Sequence, residues 1–342
     1  MADSGGAISI VTDVDHRAWR QFVERTPDGN VFHSPEMAQV FARTQGYQPA
    51  TWAAVDRRGE ILALLPIVQV TLHDGLLRRL TSRAIAYGGV LWQPGDAGLA
   101  ALEGLLRAYT RATGAQVLFI ELRNLSSLGS AQQIVQDCGF VYEDHLDYLI
   151  DLTQPVEALL QSLGARTRKH IRQALKRQDI VIEECASLDQ VRECCRLIEK
   201  SYAAAHTPLV DHSLFEAAFE LLYPHGMVKF LLARLGTQPV AASVELPYKD
   251  TIYGWYSGVD REYAAYTPNE VLMWHILQWG AEHGYRVYDF GGAGRPEQAY
   301  RVRDFKAKFG GRLVCFGRNR YVRAPGLLHL SSFGYQLLRQ WL

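Results

Sequence analysis

The sequence predicts a mixed α/β fold whose unit of strands and helices is written twice along 342 residues. Three observations carry this. Segments that alternate apolar and polar residues are interleaved with segments whose apolar residues recur every three or four positions. The order of these segments in the first half returns in the second. Two short landmarks then register the halves: Tyr87-Gly88-Gly89-Val90 against Tyr256-Ser257-Gly258-Val259, and Gly114-Ala115-Gln116-Val117 against Gly284-Tyr285-Arg286-Val287. Tyr87 to Tyr256 is 169 positions and Gly114 to Gly284 is 170, so the two offsets agree to one residue. The length suffices for two domains that each bury a core. The expected division is 1–155 and 156–324, followed by an amphipathic tail at 325–342.

In the first half, Ala7–Val11 reads as a strand and Asp15–Arg25 as a helix. Ser34-Pro35-Glu36 opens a second helix, with Ser34 as N-cap and Pro35 at the first helical position. Strands Ala50–Asp56 and Glu60–Val70 flank the turn Arg57-Arg58-Gly59. After a basic connector come a strand through Ala84–Val90, a helix from Gly98 to Thr113, a strand Ala115–Leu122, a helix Ser130–Cys138, and a strand pair over Phe140–Leu152. The second half has helices Leu188–Ala203 and Ser213–Leu222, then a hairpin Val228–Leu235 and Pro239–Tyr248. A strand Thr251–Val259, a helix Pro268–His283, a strand Tyr285–Phe290, a short helix around Lys306 and a last strand Arg312–Val322 complete it. The shared order is strand, helix, helix, hairpin, strand, helix, strand, helix, strand. That is the order of the Gcn5-related N-acetyltransferase (GNAT) fold, a mixed sheet with helices on both faces.

Composition limits the function. Apolar content of 48% and charged content of 21% are those of a soluble globular protein. A formal net charge of zero gives no global attraction to DNA or to an anionic membrane, so such affinity has to come from a local patch. The start lacks the basic segment and apolar run of a signal peptide. Five scattered cysteines without a CxxC pair read as reduced thiols. Cys194 and Cys195, adjacent on one helix, are not expected to face inward together. These features place the chain in the cytoplasm, with the inner face of the membrane as a second location. No metal site is expected from the 11 dispersed histidines.

The chemistry concentrates in Tyr288-Asp289-Phe290-Gly291-Gly292-Ala293-Gly294-Arg295 and Asp304-Phe305-Lys306. Glycines let backbone approach a ligand, and Arg295 and Lys306 bring fixed positive charge. On a helical wheel Val302, Phe305 and Phe309 share a stripe, with Lys306 the charged residue closest to it. That predicts a buried stem and an ammonium head at a cavity rim. Thr267-Pro268-Asn269-Glu270 has the form of a capped helix start, where a phosphate would rest on free N–H groups. Tyr253 and Tyr256 lie on one strand, with Glu245 on its neighbour and Asp289 at the end of the next. Acyl transfer to an amine needs a proton acceptor and a stabiliser of the oxyanion. Lys306 suits the second role; Asp289, Glu245 or a tyrosinate such as Tyr256 suits the first. The glycine run meets neither Walker nor Rossmann spacing. Arg166, Arg168, Lys169, His170, Arg172, Lys176 and Arg177 crowd one helix, either as a solvated face or as contact for a phosphate-bearing partner.

The chain resembles the FemAB-like branch of the GNAT superfamily, including the BioF2-like acetyltransferase domain and the proteins of exopolysaccharide and exosortase systems. The resemblance rests on Thr167-Arg168-Lys169-His170-Ile171-Arg172-Gln173-Ala174, Tyr266-Thr267-Pro268-Asn269, Tyr288-Asp289-Phe290-Gly291-Gly292 and Asp304-Phe305-Lys306, with Phe32-His33-Ser34-Pro35 in the first half. It implies two GNAT-like domains, the C-terminal one catalytic, the N-terminal one a scaffold or acceptor side. The implied reaction moves an acyl or aminoacyl group from an activated co-substrate, aminoacyl-tRNA or acyl-CoA, to an amine. The acceptor is a sugar, peptide or lipid-linked precursor of the cell envelope, peptidoglycan or a polysaccharide, and no bound cofactor is implied. Phe305-Lys306 inherits placement at the acyl group; Gly291, Gly292, Arg295, Arg172, Tyr253, Thr267 and Asn269 are the expected binding residues. Two departures stand out: the long helical arm of some members is absent, and Met37 replaces a common tryptophan. The phosphate loop of acetyl-CoA-dependent members is missing, with Arg261-Glu262-Tyr263-Ala264-Ala265-Tyr266 in its place. An acyl-CoA-dependent acetyltransferase and a non-catalytic glycan or lipid-headgroup binder are the alternatives.

Overall fold

The computed structural model describes residues 8–71, 82–113, 117–323 and 326. The basic connector at 72–81 and the tail at 327–342 lie outside them. Two compact units emerge: Met1–Asp144 with Phe316–Leu342, and His145–Cys315.

The first unit contains β1 (Ser9–Val11), α1 (His16–Arg25), α2 (Pro35–Ala42), β2 (Tyr47–Val55), β3 (Ile61–Thr71), β4 (Ser82–Ala86), β5 (Leu91–Trp92), α3 (Asp96–Thr113), β6 (Phe119–Arg123), α4 (Ala131–Asp137) and β7 (Val141–Glu143). Its helix starts follow the sequence: Asp15 accepts from the Ala18 N–H at 2.9 Å, and the Ser34 hydroxyl from the Met37 N–H at 3.1 Å. The second unit contains β8 (Leu146–Asp151), α5 (Val156–Ser162), α6 (Ala165–Arg177), β9 (Ile180–Glu184), α7 (Leu188–Ala204), α8 (Ser213–Leu222), β10 (Lys229–Leu235), β11 (Gln238–Tyr248), β12 (Thr251–Val259), α9 (Pro268–Glu282), β13 (Val287–Gly292), α10 (Arg301–Ala307) and β14 (Arg312–Cys315). The last strand, β15 (Arg318–Val322), returns to the first unit.

The duplication is visible strand by strand. The sheets run β1-β2-β3-β4-β6-β15-β7, with β5 beside β3, and β9-β10-β11-β12-β13-β8-β14. In each, the fourth and fifth strands are parallel and every other neighbour on the path is antiparallel. The sixth strand of each sheet comes from the other stretch of sequence: β8 follows β7 in the chain but pairs β13 and β14, whereas β15 follows β14 but pairs β6 and β7. The strand pair read over Phe140–Leu152 is therefore corrected to two strands of different sheets. The strand read as Arg312–Val322 is divided in the same way, broken at Gly317 with φ +69°. For this reason the units part at 144/145 and 315/316 instead of 155/156 and 324/325.

Each unit has its own core, on Leu102, Leu105, Ile120 and Leu122 in the first and on Ile171, Leu272, Tyr288 and Phe309 in the second. Cys194 and Cys195 are both buried, contrary to expectation, because α7 is covered by β11 and β12 and also by α8. Burial pushes the Cys195 thiol up to about 12, which leaves it a poor nucleophile. In the first unit the end of β6 is closed by charge. Burial of Glu121 raises its pKa, but Arg123, Arg318 and Arg320 at 2.7, 3.2 and 2.8 Å outweigh that and hold it at about 2.

Candidate functional site

The site of the second unit begins where two strands part. β12 and β13 pair in parallel only from Thr251–Val287 to Tyr253–Asp289, although both continue beyond. On the other side of β12 the register slips: Val244 faces Tyr256 and Glu245 faces Gly254, leaving Trp255 as an extra residue. Such a bulge re-aims side chains. Between and above these strands lies a cavity of about 440 Å³, lined by Glu245, Tyr253, Tyr256, Asn269, Tyr288, Gly291, Gly292, Phe305 and Lys306, with Tyr202 of α7. Gly254 is required there, because a Cβ would stand 2.5 Å from the Tyr288 hydroxyl.

Lys306 reaches back from α10 and donates to three successive carbonyls, Phe290 at 2.6 Å, Gly291 at 2.8 Å and Gly292 at 2.9 Å. An ammonium has three protons to donate, and all three are committed. This corrects the expected head at the rim: stem and head are both buried. The apolar stripe is also shorter than the wheel implies. Val302 is exposed at the cavity's edge, while Phe309 is fully buried. The lysine thereby ties three successive carbonyls of β13 to α10. Gly291 sits at φ +69° with its missing Cβ 2.9 Å from the Tyr253 hydroxyl, so no other residue fits.

Beneath this strand end is a carboxyl pair. Asp289 accepts from the Gly291 N–H at 2.7 Å and hydrogen-bonds the carboxyl of Asp147, which sits opposite Gly292 on β8. A hydrogen bond between two carboxyls needs a proton on one of them. Accordingly, burial first and Asp147 second push Asp289 well above the usual carboxylate range. Burial also pulls Lys306 down, opposed by Asp147 and Asp289.

Glu245 differs. Its carboxyl is buried on the cavity wall and accepts from the Tyr288 hydroxyl at 3.1 Å. Burial raises it to about 8, tempered by Tyr288, so it exchanges a proton near neutral pH. Burial pushes Tyr288 well above 10 and Tyr202 up to about 12, which removes both as tyrosinates. Tyr256 packs edge-on against Phe215 with centroids 5.0 Å apart.

The structure brings Lys306, Glu245, Tyr256, Tyr253, Phe305, Gly291, Gly292 and Asn269 to one cavity. Asp289 lies behind its wall, and Arg295, Arg172 and Thr267 are not among its lining residues. Arg172 is on α6, paired with Glu157 at 3.2 Å. Thr267 precedes α9 with Pro268 at its first position, but its side chain makes no cap bond. Its φ of +55° turns the hydroxyl away, and its Oγ1 is buried without a partner. Three site residues escaped the sequence reading. Tyr202 continues the buried Val191, Cys194 and Ile198 stripe of α7, which was a usable signal. Tyr288 was in the motif but without a role, and Asp147 comes from a strand assigned to the other half. Among the described residues no group of three or more His, Cys, Asp or Glu side chains is placed to hold a metal ion.

Residues 162–306 match the family model described as an acetyltransferase (GNAT) domain. No curated protein matches the chain in sequence. Among solved structures, FemX is similar with a TM-score of 0.73 and 15% identity, over 94% of this chain and 99% of that one. L-PGS from Bacillus licheniformis is similar at 0.57 and 13%, over 97% and 99%. A tandem GNAT protein from the clavulanic acid biosynthesis pathway is similar at 0.56 and 12%, over 92% and 98%. At these identities the likeness is one of fold: two GNAT-type units in tandem. Residues 162–306 are thus similar to a GNAT acetyltransferase domain, and the fold around them is that of tandem GNAT proteins.

Proposed function

We propose that the cavity of the second unit transfers an acyl or aminoacyl group from an activated donor to an amine of a cell-envelope or polysaccharide precursor. The observation that carries this is Glu245: a buried carboxyl on the cavity wall, oriented by Tyr288, in a lining that includes Tyr202, Tyr253, Tyr256 and Phe305. An acceptor arrives as an ammonium and attacks only after losing a proton. Glu245 takes that proton first; the free amine then forms the N–C bond, the tetrahedral intermediate collapses with cleavage of the donor's ester or thioester bond, and the nitrogen's second proton leaves with the departing oxygen or sulfur. Asp289 is less suited, since it already shares a proton with Asp147 behind the wall. Lys306 holds the backbone of Phe290–Gly292 in place, and polarises this strand end by its charge. The envelope as destination is supported by the name of one further structure of this fold, the C-terminal domain of a putative lysylphosphatidylglycerol synthetase from Agrobacterium fabrum, whose named product is a phospholipid.

The donor is tested by thermal shift, with CoA thioesters in one arm and aminoacyl-tRNA in the other. The absent phosphate loop favours the tRNA; stabilisation by the thioester alone would reassign the chain to acyl-CoA chemistry. With the donor known, Glu245→Gln is expected to lower kcat by about 10²–10⁴-fold. Activity retained within about tenfold, below the usual effect of a general base, would remove Glu245 from the mechanism.

A further inference from the structure

Helix α6 carries Arg166, Arg168, Lys169, His170, Arg172, Lys176 and Arg177 and no acidic residue. Thr167, Ile171 and Ala174 turn to the core. At about 100° per residue, the opposite face is Lys169, Lys176, Arg172 and Gln173. Neighbours at i,i+3 and i,i+4 there are like-charged, which disfavours the helix. Little offsets it. Arg172 pairs Glu157, Arg177 pairs Asp179, and Arg168 donates to the Gln161 carbonyl. Lys169 and Lys176 make no ion pair with a described residue, yet with Arg168 and Arg172 they line a shallow depression of about 370 Å³. In a chain of zero net charge this is a local, directional positive field.

A second feature says what it faces. The margins of the basic face are apolar and exposed. Leu175 is 48% exposed on one side. On the other, Arg177 lies 5.9 Å from the Tyr266 ring, and Tyr266, 38% exposed, ends the turn Arg261–Tyr266, in which Ala264 and Ala265 are also exposed. Cations flanked by aliphatic and tyrosine side chains are the makeup of a surface that lies on phospholipid. The charges meet phosphates, the phenol sits at headgroup level and the aliphatic groups reach the acyl boundary. Nucleic acid would use the cations but offers nothing to Leu175, Ala264 or Ala265.

We propose that the basic face of α6, with Leu175 and the Arg261–Tyr266 turn at its margins, docks the protein on an anionic phospholipid bilayer. Arg261 of that turn also lines the catalytic cavity, so docking brings the border of the cavity to the headgroups. The test uses the full chain with neither donor nor acceptor present, so it is read independently of transfer activity. Co-sedimentation is measured with phosphatidylcholine vesicles with and without phosphatidylglycerol, at low and high salt. Binding is expected only with phosphatidylglycerol and is expected to weaken with salt. Each basic residue contributes about fivefold, so Lys169→Glu with Lys176→Glu should lower apparent affinity at least about twentyfold. Leu175→Ser should weaken it severalfold at unchanged charge. Thermal melts check folding, and the Lys169→Gln, Lys176→Gln pair stands in if charge reversal unfolds α6. Unchanged binding of the lysine variants overturns the proposal. So does failure to bind phosphatidylglycerol vesicles while a short RNA duplex binds through the same lysines.

Discussion

At the residue scale, Glu245 sets function against stability. Its folded pKa of about 8 lies above the ordinary 4.5, so between those values the folded protein keeps a proton that the unfolded chain has released. Stability therefore falls as pH rises through that window. Activity moves the other way, because the base must be ionised: kcat/KM is expected to rise through a limb centred near 8. Glu245→Gln should abolish that limb, flatten the pH dependence of the melting temperature, and melt higher than the parent above pH 8. Paired melts and rate profiles check both signs. Lys306→Met should behave differently. It strips the carbonyls of Phe290, Gly291 and Gly292, the first two buried, of their donor and leaves the Asp147–Asp289 pair without its cation, and is expected to cost roughly 3–5 kcal/mol, read by chemical denaturation. The wheel found this side chain because its neighbours Phe305 and Phe309 are apolar. It missed the partners, since three backbone carbonyls on a distant strand have no signature in side-chain spacing.

Elements show where local rules held and where tertiary structure overrode them. Ser34 and Asp15 cap their helices as their spacing dictates. Thr267 has the same local pattern, yet packing before α9 forces it to φ +55°, where a β-branched residue is strained. Thr267→Gly should relieve this and raise stability by about 1 kcal/mol in a denaturant melt. Gly254 is the opposite case. Gly254→Ala places a methyl on the Tyr288 hydroxyl, and is expected to break the bond to Glu245 and shift the activity profile along the pH axis. Most strands and helices were legible within a few residues, because period and turn chemistry are local. The bulge at Trp255 and the parting of β12 from β13 were not legible, because both are properties of paired strands. Which residues share the cavity was therefore more legible than how they contact one another.

On the scale of the whole molecule, the duplication was legible from two landmarks, but the exchange of the sixth strands was not. Residues 146–151 and 318–322 each follow their own repeat in sequence, and nothing local says which sheet they join. The exchange makes a prediction about fragments. Residues 145–315 hold every strand of the second sheet and should melt cooperatively by circular dichroism. Residues 156–324 lack β8 between β13 and β14 and should not. It also orders events on the ribosome. The first unit's sheet waits for β15, which is made 175 residues after β7, from Glu143 to Arg318. At 5–20 residues per second that is roughly 9–35 s. The second unit has all its strands by Cys315, so the half synthesised later is the first able to close its sheet, and the half synthesised earlier stays open to chaperones and proteases until β15 emerges.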